Sequence, residues 1–496
     1  MIFLSILLSL LLGFLSCHLI FVRARTINIS LLFNLSFPIG LGLSSAIFIF
    51  LNLLGFSSIL IFCMEIVLVI FLFFKIKKLN RSNLILNKEK GTNNGRYQFE
   101  WPNLNKLFLK PILLLATILY FYSWFMDARI FFFDSIESPH GLWDAWSCWN
   151  IISKIICGAP DEWPQLLNQM NPLDFHPDYP LLQRGFIARC WLLIGNETVW
   201  IPIISSFIFT FCTIGLLSSA VRFFSNKTEG LIAGLVLLCT PFFMVMGSSQ
   251  YADNTVGFFY LATIILLTFA RKGESIKPHL LIAAGVTAGF SAWSKNEGLL
   301  FIVCLFSSQL TLLFFNSYRK LLAELKYLLF GMLPILLLLA YFKIAIVPSN
   351  HLVSSIGEGT FAKLKDYSRY LQTWDWFVIQ FKLFGQWDFN PWWLFLIGIL
   401  IKGIRIKENN YSFFSNSVLL LLMLIGFFFV EIITPYGLHY YLSTSVHRLF
   451  FQLFPSFIFI YFVLINGKPS NQKHSKIYNF LKKKYTLCIK RKSPAD

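Results

Sequence analysis

Gly141 to Pro180 reads GLWDAWSCWNIISKIICGAPDEWPQLLNQMNPLDFHPDYP, and its character organises the rest of the chain. It is the one long polar and aromatic interruption in an otherwise apolar sequence, between an apolar run ending near Phe125 and another beginning near Val199. Asp144, Asp161, Glu162, Asp174, His176 and Asp178 stand in it beside Trp143, Trp146, Trp149 and Trp163. Tryptophans favour the membrane–water interface, so these carboxylates are expected at a membrane surface. Trp143, Trp146 and Asn150 follow helical three-and-four spacing, which predicts an interfacial helix over 143–156. A second short helix is predicted over 161–170, between Pro160 and Pro172. The tryptophans read as ordinary belt aromatics; Asp144 reads as functional, against the simpler alternative of an acid favourable to a helix N-terminus.

Outward from this loop the chain is greasy. Of its 496 residues 56% are hydrophobic and only 13% charged, about half the charged fraction of a soluble domain. The expected fold is therefore an all-α polytopic membrane protein. Apolar runs long enough to cross roughly 30 Å of hydrocarbon recur at 2–22, 31–54, 58–74, 111–126, 199–221, 230–247, 254–270, 279–293, 299–315, 327–347, 391–401, 413–434 and 448–465. That makes thirteen expected spans. The organisation read from them is a three-span module over 1–74, a basic linker over 75–110, a catalytic membrane domain over 111–466 and a basic tail over 467–496.

The net charge of +18 invites a nucleic-acid reading, but its distribution argues otherwise. Residues 23–30, 75–110, 222–229, 271–278, 316–326, 402–412 and 467–496 hold 31 of the 42 lysines and arginines, while the alternate loops carry 16 of the 24 acids. By the positive-inside bias the basic loops face the cytoplasm and the N-terminus lies outside. The Lys-rich tail then reads as an arm against anionic headgroups, and no nucleic-acid motif accompanies the charge. The nine cysteines form no C-x-x-C pair and fall mostly in apolar runs, indicating neither a disulfide framework nor a metal site. The first apolar run lacks a basic start and a small-residue cleavage site, so it is read as a span and not a signal peptide. Glu65 falls in mid-span, where an ionisable group is either functional or engaged between helices.

Every further polar cluster falls on the same outer side as the Gly141–Pro180 loop: Tyr251-Ala252-Asp253-Asn254, Ser294-Lys295-Asn296-Glu297-Gly298, a second large loop over 348–390, and His439, Tyr440, Tyr441, His447 and Arg448 opening the last span. Cations (Lys295, His447, Arg448) and carboxylates (Asp144, Asp253, Glu297) converging above apolar helices suit a substrate with an anionic head and a lipid tail. A carboxylate could take the proton of an acceptor hydroxyl attacking carbon 1 of an activated sugar. Arginine and lysine would stabilise a departing phosphate. Neither a G-x-x-x-x-G-K-[ST] nor a G-x-G-x-x-G motif occurs, so the energy would come from a lipid-linked sugar.

The runs Trp143-Asp144-Ala145-Trp146, His176-Pro177-Asp178-Tyr179-Pro180-Leu181-Leu182, Tyr251-Ala252-Asp253 and Trp293-Ser294-Lys295-Asn296-Glu297-Gly298 resemble the GT-C superfamily of membrane glycosyltransferases. The likeness is nearest to bacterial branches akin to protein O-mannosyltransferases and lipid A aminoarabinose transferases, and covers about residues 111–466. The resemblance implies an inverting transfer from a polyprenyl-phosphate-linked sugar to a glycan, lipid or protein acceptor, in a plasma (bacterial inner) membrane with the active site extracytoplasmic. It implies Asp144 as the catalytic carboxylate; Asp253, at the top of a span, joins the catalytic candidates as an acid that orients an acceptor or a leaving-group cation, and His176, Asp178, Lys295, Glu297, His447 and Arg448 are the candidate substrate-binding residues. It brings no certain cofactor; a divalent cation stays open. The acidic pair many relatives carry in this loop is absent, Asp144 being followed by Ala145, which leaves Asp134, Glu137 and Asp178 as alternative carboxylates. No large soluble domain follows the last span. The competing reading is a transporter or lipid flippase, which should show midplane charges on broken helices and repeated halves; no internal repeat is found.

Overall fold

The computed structural model describes residues 1–21, 29–89, 111–171, 175–272, 275–314, 318–348, 358–387, 390–404 and 411–465. Residues 90–110 of the basic linker, Asp174 and the Lys-rich tail from 466 onward lie outside the described residues. Among the described residues the regular structure is all helical. The helices are α1 (Ile2–Phe21), α2 (Ile29–Leu53), α3 (Ser58–Glu89), α4 (Pro111–Glu137), α5 (Ile151–Gly158), α6 (Trp163–Gln169) and α7 (Leu182–Ile194). They continue as α8 (Trp200–Phe224), α9 (Lys227–Leu238), α10 (Pro241–Ser248), α11 (Ala252–Ala270), α12 (Pro278–Ser294) and α13 (Glu297–Gln309). The last six are α14 (Tyr318–Tyr341), α15 (Glu358–Lys365), α16 (Tyr367–Leu383), α17 (Trp392–Lys402), α18 (Tyr411–Ile433) and α19 (Leu438–Ile465).

Ten helices are long and apolar enough to cross a membrane by length and composition, against the thirteen spans expected, and the three differences have local causes. The run 230–247 is not one straight span: α9 and α10 meet at an angle of 67°. Thr240 is extended (φ −96°, ψ 103°) because Pro241 follows it, and a residue before proline is driven out of the helical region. The run 279–293 is α12, of 17 residues, about 25 Å long at 1.5 Å per residue. It runs antiparallel to α11, since Lys295 at its end reaches Asp253 in the first turn of α11 at 2.9 Å. Its neighbours α11, α13 and α14 shield it from lipid, so it needs less apolar length than a lipid-facing helix.

The third difference concerns the expected outer loop 348–390. Its second half descends along α19: Trp376 meets His439 (5.8 Å between ring centres), Phe377 meets Phe450 (5.4 Å), Phe384 meets Phe454 (4.8 Å), and Phe395 meets Phe457 (5.1 Å). Tyr461 Oη then donates to the Phe395 carbonyl at 3.1 Å. Thus α16 and α17 pack in succession along α19 with a break between them, an arrangement that Arg369, Asp375 and Lys382 disguised in the sequence. The two breaks meet, with the Phe242 amide donating to the Gly385 carbonyl at 3.2 Å. Gly385 has φ +90°, and a Cβ there would sit 2.7 Å from the Trp387 ring. Backbone groups freed by one break are thereby satisfied at the other, as an apolar surrounding demands.

The interfacial helix expected over 143–156 is present as a π-helical turn, Ala145–Asn150, flowing into α5, and the helix expected over 161–170 is α6. What was not anticipated is α7, whose first ten residues are buried. It is held by the N-terminal helices. Arg189 on α7 donates from Nε to both Glu65 oxygens (2.9 and 3.0 Å) and from Nη1 to the Ser5 carbonyl (3.2 Å). Ser45 Oγ donates to the Leu181 carbonyl at 3.0 Å, and Trp163 Nε1 to Asn52 Oδ1 at 2.6 Å. Glu65 therefore engages between helices, the second of its two readings.

Candidate active site

Asp253 is the fixed point of the site. It lies in the first turn of α11, all of whose residues are buried, where an acid complements the helix dipole. Its Oδ1 accepts from Lys295 Nζ at 2.9 Å and Gln452 Nε2 at 2.7 Å; its Oδ2 accepts from Arg448 Nε at 3.2 Å and Nη2 at 2.6 Å. Four donors and two cations balance the cost of burying that charge. A carboxylate so fully engaged organises cations; it has no free lone pair aimed at a substrate.

Arg448, from α19, bridges outward. Its Nη1 donates to Asp144 Oδ2 at 2.6 Å, and its guanidinium lies 4.7 Å from the centre of the Tyr251 ring, a cation–π contact. The Asp144 amide donates to Tyr251 Oη at 3.3 Å, so one tyrosine supports both partners. Exposure separates the two acids: the side chain of Asp144 is 28% exposed, that of Arg448 16%, and that of Asp253 0%. Asp144 is the carboxylate that solvent or a substrate can reach.

The loop bearing Asp144 is sewn to the start of α11. Gly141 adopts φ +75°, and a Cβ there would lie 2.6 Å from the Ser249 carbonyl, which accepts the Leu142 amide at 3.2 Å. Gln250, itself at φ +62°, accepts from Asn150 Nδ2 at 3.2 Å, donates to the Pro139 carbonyl at 3.1 Å and receives Gln183 Nε2 on its carbonyl at 2.9 Å.

Lys295 caps α12 and also reaches Glu297 Oε1 at 2.8 Å. Burial alone would lower its pKa, but Asp253 and Glu297 carry it above the ordinary lysine value, so it stays charged. Asp144, Asp253, Glu297, Lys295 and Arg448, drawn from four separate sequence motifs, thus form one continuous chain of ion pairs. They carry three negative charges against two positive.

The remaining expected residues stand elsewhere. His176 and Asp178 build a corner beside the cluster. Arg184 on α7 donates to the carbonyls of Cys148 (2.7 Å), His176 (3.0 Å) and Tyr179 (2.8 Å) and lies 4.9 Å from the Trp149 ring centre. His176, at φ +45°, stacks on Tyr179 at 5.0 Å, and burial lowers its pKa. Asp178 Oδ2 accepts from Asn296 Nδ2 at 2.8 Å and Lys343 Nζ at 3.5 Å; it is buried and ties the corner to the N-cap of α13 and to the turn that follows α14. His447 is adjacent to Arg448 in sequence, but its ring packs against Phe242 at 5.3 Å. Asp134 accepts from Ser248 Oγ at 3.3 Å and, with Glu137, lines a separate open cleft of about 160 Å³ between α4 and α10. Asp161 and Glu162 are exposed. Among the described residues no three His, Cys, Asp or Glu side chains are grouped so as to hold a metal ion.

Sequence reading missed Arg184, Gln452 and Lys343. For Arg184 a signal existed: two arginines, Arg184 and Arg189, interrupt the apolar run from Leu181 to Ile194, where charges are costly and must be engaged. Gln452 and Lys343 carry none, because their partners come from helices about 200 and 165 residues away.

Comparison with known proteins gives one family. Residues 178–342 match the family described as dolichyl-phosphate-mannose-protein mannosyltransferase. No curated protein and no solved structure matches the chain. The matched segment runs from Asp178 through α11, α12 and α13 to Phe342, and so includes Asp253, Lys295 and Glu297.

Proposed function

We propose, from the premise that this chain is a membrane glycosyltransferase of the GT-C type, that it moves a sugar with inversion from a polyprenyl-phosphate donor to an acceptor hydroxyl at the outer face of the plasma membrane. The observation that carries the reading is the shared guanidinium of Arg448, held on one side by buried Asp253 and on the other by accessible Asp144. With three acids to two cations, an incoming phosphate finds no spare positive charge. It gains Arg448 only by displacing a carboxylate, and Asp144 is the exchangeable one. Donor binding then frees Asp144 at the moment a base is needed.

In this mechanism Asp144 takes the proton of the acceptor hydroxyl as its oxygen attacks carbon 1. The bond from carbon 1 to the phosphate oxygen breaks, and its electron pair leaves on the phosphate. Arg448 and Lys295, fixed by Asp253, meet that charge without reorganising. Asp253 is a positioning acid here. Glu297 orients Lys295, and the corner of His176 and Asp178 holds the loop that carries Asp144. The positive-inside distribution of Lys and Arg supports an extracytoplasmic site. The acceptor is a hydroxyl-bearing glycan, lipid or protein.

The first donor to offer is polyprenyl-phosphate mannose, because the matched family is described by its use of a lipid-phosphate mannose. Purified protein in lipid nanodiscs should release polyprenyl phosphate from it in the presence of acceptor. Asp144→Asn should remain folded and bind donor but lose transfer by about 10² to 10⁴, the contribution of a positioned base. Unchanged turnover in that variant would move the base to Asp134, Glu137 or Asp178. The meeting of two broken helices near Pro241 and Gly385 is the one feature that favours a transporter or flippase. Movement of labelled polyprenyl phosphate across proteoliposomes, without sugar transfer, would establish that reading instead.

A further inference from the structure

Near the Lys295–Glu297 end of the ion-pair chain lies a carboxyl group that the mechanism above does not use. Glu431, in the last turn of α18, is 1% exposed. Its Oε1 accepts from Ser445 Oγ at 2.8 Å, while its Oε2 is enclosed and has no hydrogen-bond partner. Native proteins rarely leave such an atom unsatisfied, since each orphan costs about 1–3 kcal/mol.

It is not isolated. Glu431 lies within electrostatic reach of Glu297 and Lys295, and Tyr441 of both acids. Tyr441 is half-buried and stacks on Tyr436 at 5.4 Å. Two further enclosed polar atoms without partners, Tyr260 Oη and Gln452 Oε1, belong to the same surroundings: Gln452 bonds Asp253 directly, and Tyr260 is in reach of Glu297 and Asp253. Three helices, α11, α18 and α19, thus each bring one unsatisfied buried polar atom to the surroundings of Lys295 and Glu297. Glu431 and Glu297 supply acceptor oxygens there, which suit a group that donates hydrogen bonds.

We infer that Glu431, with Glu297 and Tyr441, forms a subsite that reads hydrogen-bond donors, hydroxyl or amino, on the sugar ring of the lipid-linked donor. The inference rests on the donor reading above. It divides the site into an anion-binding half at Arg448 and Lys295 and a sugar-reading half at Glu431, so the sugar and the phosphate are recognised by different residues.

The test uses the full-length protein in nanodiscs with polyprenyl-phosphate mannose, the same lipid carrying an aminopentose, and sugar-free polyprenyl phosphate as inhibitor. Glu431→Gln should raise KM for the preferred sugar donor about tenfold, as expected for one lost hydrogen bond. It should leave kcat within about threefold and leave inhibition by sugar-free polyprenyl phosphate unchanged, a split that mere loosening of the fold does not give. Donor analogues lacking one hydroxyl should lose the same factor in the unsubstituted protein and nothing more in Glu431→Gln at the position that is read. Preference for the aminopentose lipid would assign the read group as an ammonium, and preference for mannose as a hydroxyl. Should Glu431→Gln fail to fold, Tyr441→Phe carries the test with the same readouts. An unchanged KM with intact polyprenyl-phosphate inhibition would overturn the subsite alone, leaving Glu431 to a buried water. If sugar-free polyprenyl phosphate does not bind even the unsubstituted protein, the donor reading falls and the subsite with it.

Discussion

Replacing Arg448 by lysine keeps the charge and removes the fork. Arg448 makes three charge-assisted hydrogen bonds: Nε and Nη2 to Asp253 (3.2 and 2.6 Å) and Nη1 to Asp144 (2.6 Å). A lysine ammonium is a point charge on a shorter reach and can hold one of the two acids, so two bonds are lost. At about 1.5–3 kcal/mol per bond to a charged group, the loss is about 3–6 kcal/mol. Part of this falls on the fold; Asp253 keeps Lys295 and Gln452, which limits that share. The remainder falls on the departing phosphate, and at about 1.4 kcal/mol per tenfold transfer should drop by about 10² or more. The assay is release of polyprenyl phosphate from labelled donor in nanodiscs, on protein first shown to be monodisperse. Arg448→Lys with more than about half the activity would refute the argument that the planar bridge between Asp144 and Asp253 matters, and would reduce Arg448 to a mere positive charge.

Three other outcomes follow from the same geometry. Glu65→Gln should lower the thermal midpoint sharply, because breaking a buried pair costs about 3–5 kcal/mol, whereas the double change Glu65→Leu with Arg189→Met should recover most of it; equal losses in thermal melts of the two variants would mean the pair is not the clamp on α7. Burial holds the His176 pKa below its ordinary 6.5, so the unfolded chain binds the extra proton and stability is full above about pH 6.5 and falls as pH drops toward the folded pKa; His176→Asn, which tolerates φ +45°, should flatten that slope in melts from pH 7.5 to 5, and an unchanged slope would remove His176 as its source. For topology, cysteines placed at the exposed positions Asp161 and Tyr440 should react with an impermeant reagent on intact cells, and one at Lys227 only after permeabilisation; the reverse pattern would invert the orientation.

Membrane character, helix positions and the residues of the ion-pair chain were legible in the sequence because each depends on local composition. Apolar length marks a span, tryptophan marks an interface, and a charge in a greasy chain is conspicuous. Asp144, Asp253, Lys295, Glu297 and Arg448 were legible for that reason. The sequence did not say which acid pairs with which cation, since, Lys295 and Glu297 apart, the partners are 42 to 304 residues from each other. Nor did it reveal that α16 and α17 pack in succession along α19, because Arg369, Asp375 and Lys382 give α16 the look of a surface loop and only the tertiary contacts show where it lies.

The ion-pair chain also changes how its cations must be understood. From sequence, Lys295 and Arg448 were expected to stand ready for a phosphate; in the fold both are engaged, Lys295 by Asp253 and Glu297, Arg448 by Asp253 and Asp144. Unpaired cations at a membrane face would hold any anionic headgroup, and lipids bearing them are abundant there. A guanidinium already closed by Asp144 admits only a ligand that repays its displacement, through phosphate contacts and the sugar together. An ordinary phospholipid offers the first and not the second. The pairing of Asp144 with Arg448 therefore does two things at once: it restrains the base until a donor arrives, and it makes the sugar part of what opens the site.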